Sequence, residues 1–275
     1  MPTRRLLAPA IGLSAVALAV GTSTAAFAAT PAHAATHHVH ARGDVMHHSS
    51  GTTASHLTPV SSAHHHGKVI LHATSDNWAG YAATGGNYTS VSSSWVQPAV
   101  NCGSEDTYSS FWVGIDGDGT SSVEQTGTEA DCSGGTASYS SWYEMYPAYP
   151  VNYSDDVEPG DSFTGSVSTD GSGNFTLTLT DNTQGWSEKT NQSSTTAQDG
   201  SAEIIAEAPY SNGVLPLSNF GTVNFTGSTA NGNPIGSSSP SQINLVSDGG
   251  VTEATTSSLD GSGEDFSVTW ESSGS

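Results

Sequence analysis

Between Val91 and Trp270 the chain repeatedly alternates apolar and polar residues with a period of two, which restricts those runs to β-strands. Phe175, Leu177 and Leu179 alternate with Thr176, Thr178 and Thr180, the pattern of a half-buried strand with one wet face. Phe163, Gly165 and Val167 repeat it, as do Phe266, Val268 and Trp270. Strands are expected over 91–97, 109–116, 139–146, 162–169, 174–180, 201–208, 220–226 and 266–270. Turn clusters such as Asp116-Gly117-Asp118-Gly119 and Asp170-Gly171-Ser172-Gly173 separate the runs, and no stretch shows helical periodicity. Short strands with repeated turn signals and no helices predict an all-β fold, an antiparallel sandwich or barrel. The roughly 200 residues from 73 onward suffice for one core, burying on the order of 70% of the unfolded surface.

Charge narrows the chemistry. All eleven histidines lie between His33 and His72. From Ala73 onward Lys189 is the single cation; setting Asp44 aside from the 26 acidic residues leaves 25 there, a formal charge of −24. Cys102 and Cys132 are expected to form one disulfide, so Ser-His, Cys-His and His-ligated zinc chemistry are excluded from this region. Nucleic acid is not an expected partner, because its phosphates need cationic side chains. Any acid-base work falls to carboxylates. Asp116-Gly117-Asp118-Gly119 lacks the spaced ligands and terminal Glu of a calcium loop and reads as a tight turn.

Three regions are expected. Residues 1–28 have the form of a secretory signal: Arg4 and Arg5, an apolar run from Leu6 to Val20 too short to span a bilayer comfortably, and the small-x-small site Ala26-Phe27-Ala28. This predicts a secreted, extracellular protein with no stable membrane association once the signal is removed, and it places the two cysteines in an oxidising compartment. An anchored membrane helix is the alternative. Residues 29–72 are Ala, Ser, Thr and clustered His, with almost no large apolar residue before Val69-Ile70-Leu71. Such a stretch cannot bury a core and is expected to be disordered or loosely docked. A pro-segment, a metal-binding tract and a plain linker compete, and its position before the folded domain, 73–275, favours the pro-segment.

Within that domain Ala202-Glu203-Ile204-Ile205-Ala206-Glu207-Ala208 places Ala202, Ile204, Ala206 and Ala208 on one strand face and Glu203, Ile205 and Glu207 on the other. Core packing does not produce two carboxylates on one face, and a solvated face is their default reading. A second polar stretch, Val123-Glu124-Gln125-Thr126-Gly127, stands against that default. Trp142, Glu144 and Tyr146 share one face of another strand, and Trp78 and Trp112 add indole surface. These aromatics pack a core or wall a groove on a concave sheet face.

Taken together, these blocks resemble the glutamic peptidases, the eqolisin family. The matching residues are Asn77-Trp78-Ala79-Gly80, Trp112-Val113-Gly114-Ile115-Asp116-Gly117, Gln125-Thr126-Gly127 and Trp142-Tyr143-Glu144-Met145-Tyr146-Pro147. Pro159-Gly160-Asp161, Ala202-Glu203 with Glu207, Phe220-Gly221-Thr222-Val223-Asn224-Phe225 and Phe266-Ser267-Val268-Thr269 follow in the family's order. The resemblance implies a concanavalin-like sandwich of two curved seven-stranded antiparallel sheets, with a substrate groove on the concave face of one. It also implies an acid endopeptidase acting on proteins or peptides, a monomer, without metal or cofactor. Gln125 and Glu203 take the catalytic roles, and Trp112, Asp116, Glu144 and Trp78 line or support the groove. The chain departs from the family at Ile204, where Trp is usual after the catalytic Glu, and over 227–250, a longer connection.

The chemistry fits independently. Amide hydrolysis needs an activated water, a stabilised oxyanion and a proton for the leaving nitrogen. A Glu carboxylate can take and return the proton, and a Gln amide can orient the water and donate to the oxyanion. The rivals are a β-sandwich glycoside hydrolase, which needs two facing carboxylates, and a non-catalytic carbohydrate-binding module. A serine-carboxyl peptidase needs a larger α/β domain, and an aspartic peptidase needs two Asp-Thr/Ser-Gly loops that are absent from the sequence.

Overall fold

The computed structural model describes residues 58–65 and 68–274, with side chains from Leu71 onward. The expected signal, 1–28, and the following tract to residue 57 lie outside the described residues.

The strands in chain order are β1 (Thr58–His65), β2 (Lys68–Ser75), β3 (Trp78–Thr84), β4 (Ser90–Val96), β5 (Ser110–Ile115) and β6 (Val123–Ser133). Next come β7 (Thr136–Tyr146), β8 (Val151–Asn152), β9 (Ser162–Thr169), β10 (Asn174–Asp181), β11 (Trp186–Ser193) and β12 (Ser201–Glu207). The last are β13 (Thr222–Ala230), β14 (Asn233–Pro234), β15 (Ser241–Val246), β16 (Thr252–Thr256) and β17 (Phe266–Trp270), with one 3-10 turn at Ile235–Ser238. Two antiparallel layers follow from the pairings. One runs β15-β3-β12-β5-β6-β7-β8. The other runs β16-β17-β13-β4-β9-β10-β11. Counted this way each layer has seven strands, and the pairing of β15 with β16 joins them along one edge.

The core lies between the layers. Ala79, Tyr81 and Ala83 of β3, Phe111, Val113 and Ile115 of β5, and Ala202, Ile204 and Ala206 of β12 face Trp95, Phe163, Val167, Leu177, Phe225 and Val268 of the second layer. Tyr81 meets Phe266 edge-on across the gap at 4.8 Å between ring centres, and Phe266 stacks on Phe225 at 5.0 Å. The alternation of Phe175, Leu177 and Leu179 inward and Thr outward is as expected from the sequence.

All eight expected strands are present, β9 and β17 with the same bounds. The strands without a clear period-two signal are instructive. β6 is buried at ten of its eleven positions, so both its faces are interior and neither is selected for polarity by water. β11 pairs only with β10 and its side chains are polar on both faces. The segment assigned to the pro-segment is strand at its end: β1 and β2 form a hairpin, and β2 runs parallel to β15 with Leu71 to Ser75 beside Ser241 to Leu245. Val69-Ile70-Leu71, where apolar residues first return, belongs to β2. The Cys102–Cys132 disulfide forms, with Cα atoms 5.3 Å apart, and ties the loop before β5 to the end of β6.

Close approach of β5 and β6 depends on Gly127. A Cβ there would run into the Phe111 carbonyl oxygen and lie 2.6 Å from Trp112 Cβ. Overpacking against backbone costs about 1–3 kcal/mol, and each kcal/mol moves a domain of this size by about 2–4 °C. Gly127→Ala should therefore lower the calorimetric melting temperature by roughly 5–10 °C; an unchanged melting temperature would show that the two strands have room to part.

Candidate active site

β12 divides its side chains as its alternation requires. Ala202, Ile204 and Ala206 enter the inter-layer core, while Glu203, Ile205 and Glu207 point to the opposite face of the layer. The unusual Ile204 is thus a core residue on the side away from Glu203. The default of a solvated face does not hold, since Glu203 and Glu207 are both fully buried.

Register brings the two proposed catalytic residues together. Glu203 lies opposite Gly114 of β5, Gly114 opposite Gln125 of β6, and Gln125 opposite Glu144 of β7. One cross-strand row therefore reads Glu203, Gly114, Gln125, Glu144, all on one face. Gly114 contributes no side chain between the carboxyl and the amide, and the Trp112 ring packs over it. A Cβ at that position would lie 3.2 Å from Gln125 Cβ and 2.9 Å from Trp112 Cζ3. Gln125 Nε2 donates to Glu144 Oε2 at 3.0 Å, which fixes the plane of the amide.

The next row on this face reads Ile205, Trp112, Gly127, Trp142. Trp112 and Trp78 meet edge to face at 5.3 Å and 76°. With Ala82, Val123, Trp142 and Ile205 they form a second apolar cluster, separate from the inter-layer core. The row beyond holds Trp78, Glu207, Ser110 and Glu129.

Asp116 sits apart from the row and does a different job. It has φ of 67°, just past the end of β5. Its Oδ2 accepts the backbone N–H groups of Gln198 and Asp199 at 2.8 and 3.1 Å, and Oδ1 accepts that of Gly200 at 2.8 Å. It therefore anchors the loop that leads into β12, three residues before Glu203. Of the residues expected around the groove, Trp112, Trp78 and Glu144 border the Glu203–Gln125 row or the row beside it, and Asp116 supports it from below through that loop.

Sequence reasoning missed Gly114 as a functional position, although it lies inside a quoted block, because its meaning comes from register. It also missed Glu124, Glu129 and Asp131, three further buried carboxyls on β6. Only the density of acids in Val123–Ser133 hinted at them.

The chain matches the Peptidase A4 family over residues 76–270. Aspergillopepsin-2 of Aspergillus niger is 30% identical over 219 residues, 68% of this chain and 76% of that protein. A crystal structure of scytalido-glutamic peptidase with a transition state analog inhibitor superposes with a TM-score of 0.60 at 26% identity, covering 71% of this chain and 98% of that one. Aspergilloglutamic peptidase from Aspergillus niger gives 0.53 at 29% identity, covering 60% and 99%. The chain belongs to the peptidase A4 family. It is a glutamic-type endopeptidase, a hydrolase.

The carboxyls of this A4 peptidase hold their protons unusually tightly. Burial pushes Glu203 well above the usual range, and the charges of Asp118 and Asp116 add to it; the nearby Ser201 hydroxyl and Asp118 amide pull the other way. Burial also raises Glu207 well above its ordinary value, against the Trp112 hydrogen bond and with help from Glu144. Glu129 is pushed up to about 7 and Asp131 well upward, again by burial first. Glu124 rises to about 8 through burial and the neighbouring Asp116 charge, against the pull of the Ser194 and Ser122 hydroxyls. Burial alone lifts Asp118 to about 6. Mutual repulsion among 25 acids is thus the lesser cause, and desolvation the greater.

Each of these groups keeps its proton in the folded state at a pH where the unfolded chain, with carboxyls near 4, has lost it. The folded state then binds more protons, so this stability is complete below about pH 4 and is lost as pH rises through the folded values, up to about 8 for Glu124. Calorimetry should show the domain melting at least about 5 °C higher at pH 4 than at pH 8, with Glu124→Gln narrowing the gap. A melting temperature that rises toward pH 8 would contradict this.

Proposed function

We propose that the protein is a secreted acid endopeptidase that hydrolyses protein or peptide substrates, as a monomer, with Gln125 and Glu203 as its dyad. The observation that carries this reading is the register that sets Glu203 and Gln125 on one face with only Gly114 between them, a carboxyl on one side of a bound peptide carbonyl and an amide on the other. Arg4, Arg5, the apolar run to Val20 and Ala26-Phe27-Ala28 support secretion, as does the Cys102–Cys132 bond, which persists in an oxidising compartment. Residues 29–72 are read as a pro-segment whose end, in the β1–β2 hairpin, borders β15. The facing pair is a carboxyl and an amide rather than two carboxyls, which favours peptide over glycoside hydrolysis.

In this mechanism water and substrate reaching Glu203 supply the solvation that lets it ionise. The carboxylate takes a proton from the water as its oxygen attacks the scissile carbonyl carbon. Gln125 stabilises the resulting oxyanion through its amide N–H. Glu203 then returns the proton to the leaving nitrogen, the C–N bond breaks, and a carboxylic acid and an amine leave.

Glu203→Gln should abolish turnover while leaving the fold intact, because no second group can shuttle the proton. Gln125→Ala should lower kcat by about 10²–10³, the usual worth of one oxyanion donor. Gly114→Ala tests the arrangement itself: it should cut turnover on a denatured protein substrate at acid pH by at least about tenfold, one order being 1.36 kcal/mol of barrier. Full activity in Gly114→Ala, or in Glu203→Gln, would sink the assignment.

A further inference from the structure

We propose that Glu207 is a positioning residue for peptide hydrolysis, holding the Trp112 indole over Gly114, beside the two groups that act on the scissile bond. The proposal rests on the Gln125–Glu203 reading and extends it to the neighbouring row.

Glu207 stands four residues beyond Glu203 on the same face of the same strand and is fully buried. Both of its oxygens are engaged. Oε2 accepts the Trp112 Nε1 hydrogen at 2.6 Å, and Oε1 accepts from Asn77 Nδ2 at 3.0 Å. One side chain thus ties together β12, β5 and the approach to β3. Asn77 is itself held: Ser75 Oγ donates to Asn77 Oδ1 at 3.2 Å and accepts the Asn77 and Trp78 N–H groups at 3.3 and 3.2 Å. The carboxyl therefore rests on a fixed support.

The other end of the same indole reaches the catalytic row. Trp112 Cζ3 would lie 2.9 Å from a Cβ on Gly114, so the six-membered ring occupies the space over Gly114, between Gln125 and Glu203. Trp112 is two residues from Gly114 on β5, and its cross-strand partner Gly127 has no Cβ to collide with the Trp112 Cβ. An indole bound at Nε1 cannot turn about its ring torsion without breaking a short, buried hydrogen bond. Trp78, edge-on at 5.3 Å, closes the remaining side. Glu207 thereby fixes the distance between the indole and the two reacting groups, although it touches neither. A displacement of about 1 Å at such a position can cost ~10² in rate.

Gln is not an equivalent replacement. Its amide has one acceptor end, so it can receive the Trp112 or the Asn77 hydrogen but must turn an NH₂ toward the other donor. Ser75 holds the Asn77 amide against the flip that would relieve this. Glu207→Gln therefore loosens the tie while nearly conserving volume.

The test is a double-mutant cycle on Glu207→Gln and Trp112→Phe, with kcat and KM measured on a short chromogenic peptide at acid pH and scaled to the folded fraction. Each single variant should lower kcat by about 10–100-fold with KM changed less than about threefold, and the double variant should be no worse than the worse single. In ¹H–¹⁵N spectra of the wild type, the indole signal that disappears in Trp112→Phe should lie downfield of the other indole signals and move upfield in Glu207→Gln. Additive losses, an effect confined to KM, or an indole signal unmoved by Glu207→Gln would each overturn the proposal. Glu203→Gln is assayed beside them: turnover there overturns the dyad reading itself, whereas an inactive Glu203→Gln with an additive cycle overturns only the role of Glu207.

Discussion

Burial of both faces of β12 is the constraint on which the rest of this protein depends. Every residue from Ser201 to Glu207 is buried, with alanine and isoleucine packed on one side and carboxyls on the other. A strand with water on its second face would carry two unremarkable ionised glutamates. With water excluded, each carboxyl needs a proton or a set of donors. Glu207 has the donors, from Trp112 and Asn77, whereas Glu203 has no hydrogen bond of good geometry at either oxygen. Two residues of one type, four apart on one strand, thus stand in different surroundings, which is what the separate roles proposed for them rest on.

Glycine makes the arrangement possible at two points. Gly114 puts no side chain between Glu203 and Gln125 and lets the Trp112 ring pack over it, and Gly127 lets β5 approach β6 closely at Phe111 and Trp112. Asp116 closes the structure from the other end, its carboxylate accepting three successive N–H groups at 198–200 and so fixing where β12 begins. The geometry of the proposed dyad is a matter of strand register supported by a loop anchor, with both groups on strands.

The acid character of the protein follows from the same burial. A formal charge of −24 beyond residue 72 describes the chain, yet several of its carboxyls are interior and hold their protons toward neutral pH because desolvation penalises the ion. Folded stability and the proton inventory of the active-site face are therefore coupled. Conditions that protonate the solvent-facing acids leave the interior ones in the state in which the fold already keeps them.

The sequence by itself determined the class of fold and the family, and it supplied the residues proposed as the dyad. Alternation at Phe163–Val167, Phe175–Leu179 and Phe266–Trp270 requires a strand with one face inward, and that requirement is local. The absence of His and the scarcity of cations left carboxyls to do the chemistry, and the ordered blocks from Asn77 to Thr269 carried the family. Only the tertiary structure decided that Val123–Ser133 is a strand, because a strand buried on both faces shows no period against water. It alone showed that β1 and β2 join the sheet at β15, since that pairing spans some 170 residues of chain. Register, likewise, is a property of the assembled sheet. Nothing in the order of residues says that Gly114 stands between Gln125 and Glu203, or that Glu207 faces the indole of Trp112, because each relation joins strands whose partners are chosen only when the whole layer closes.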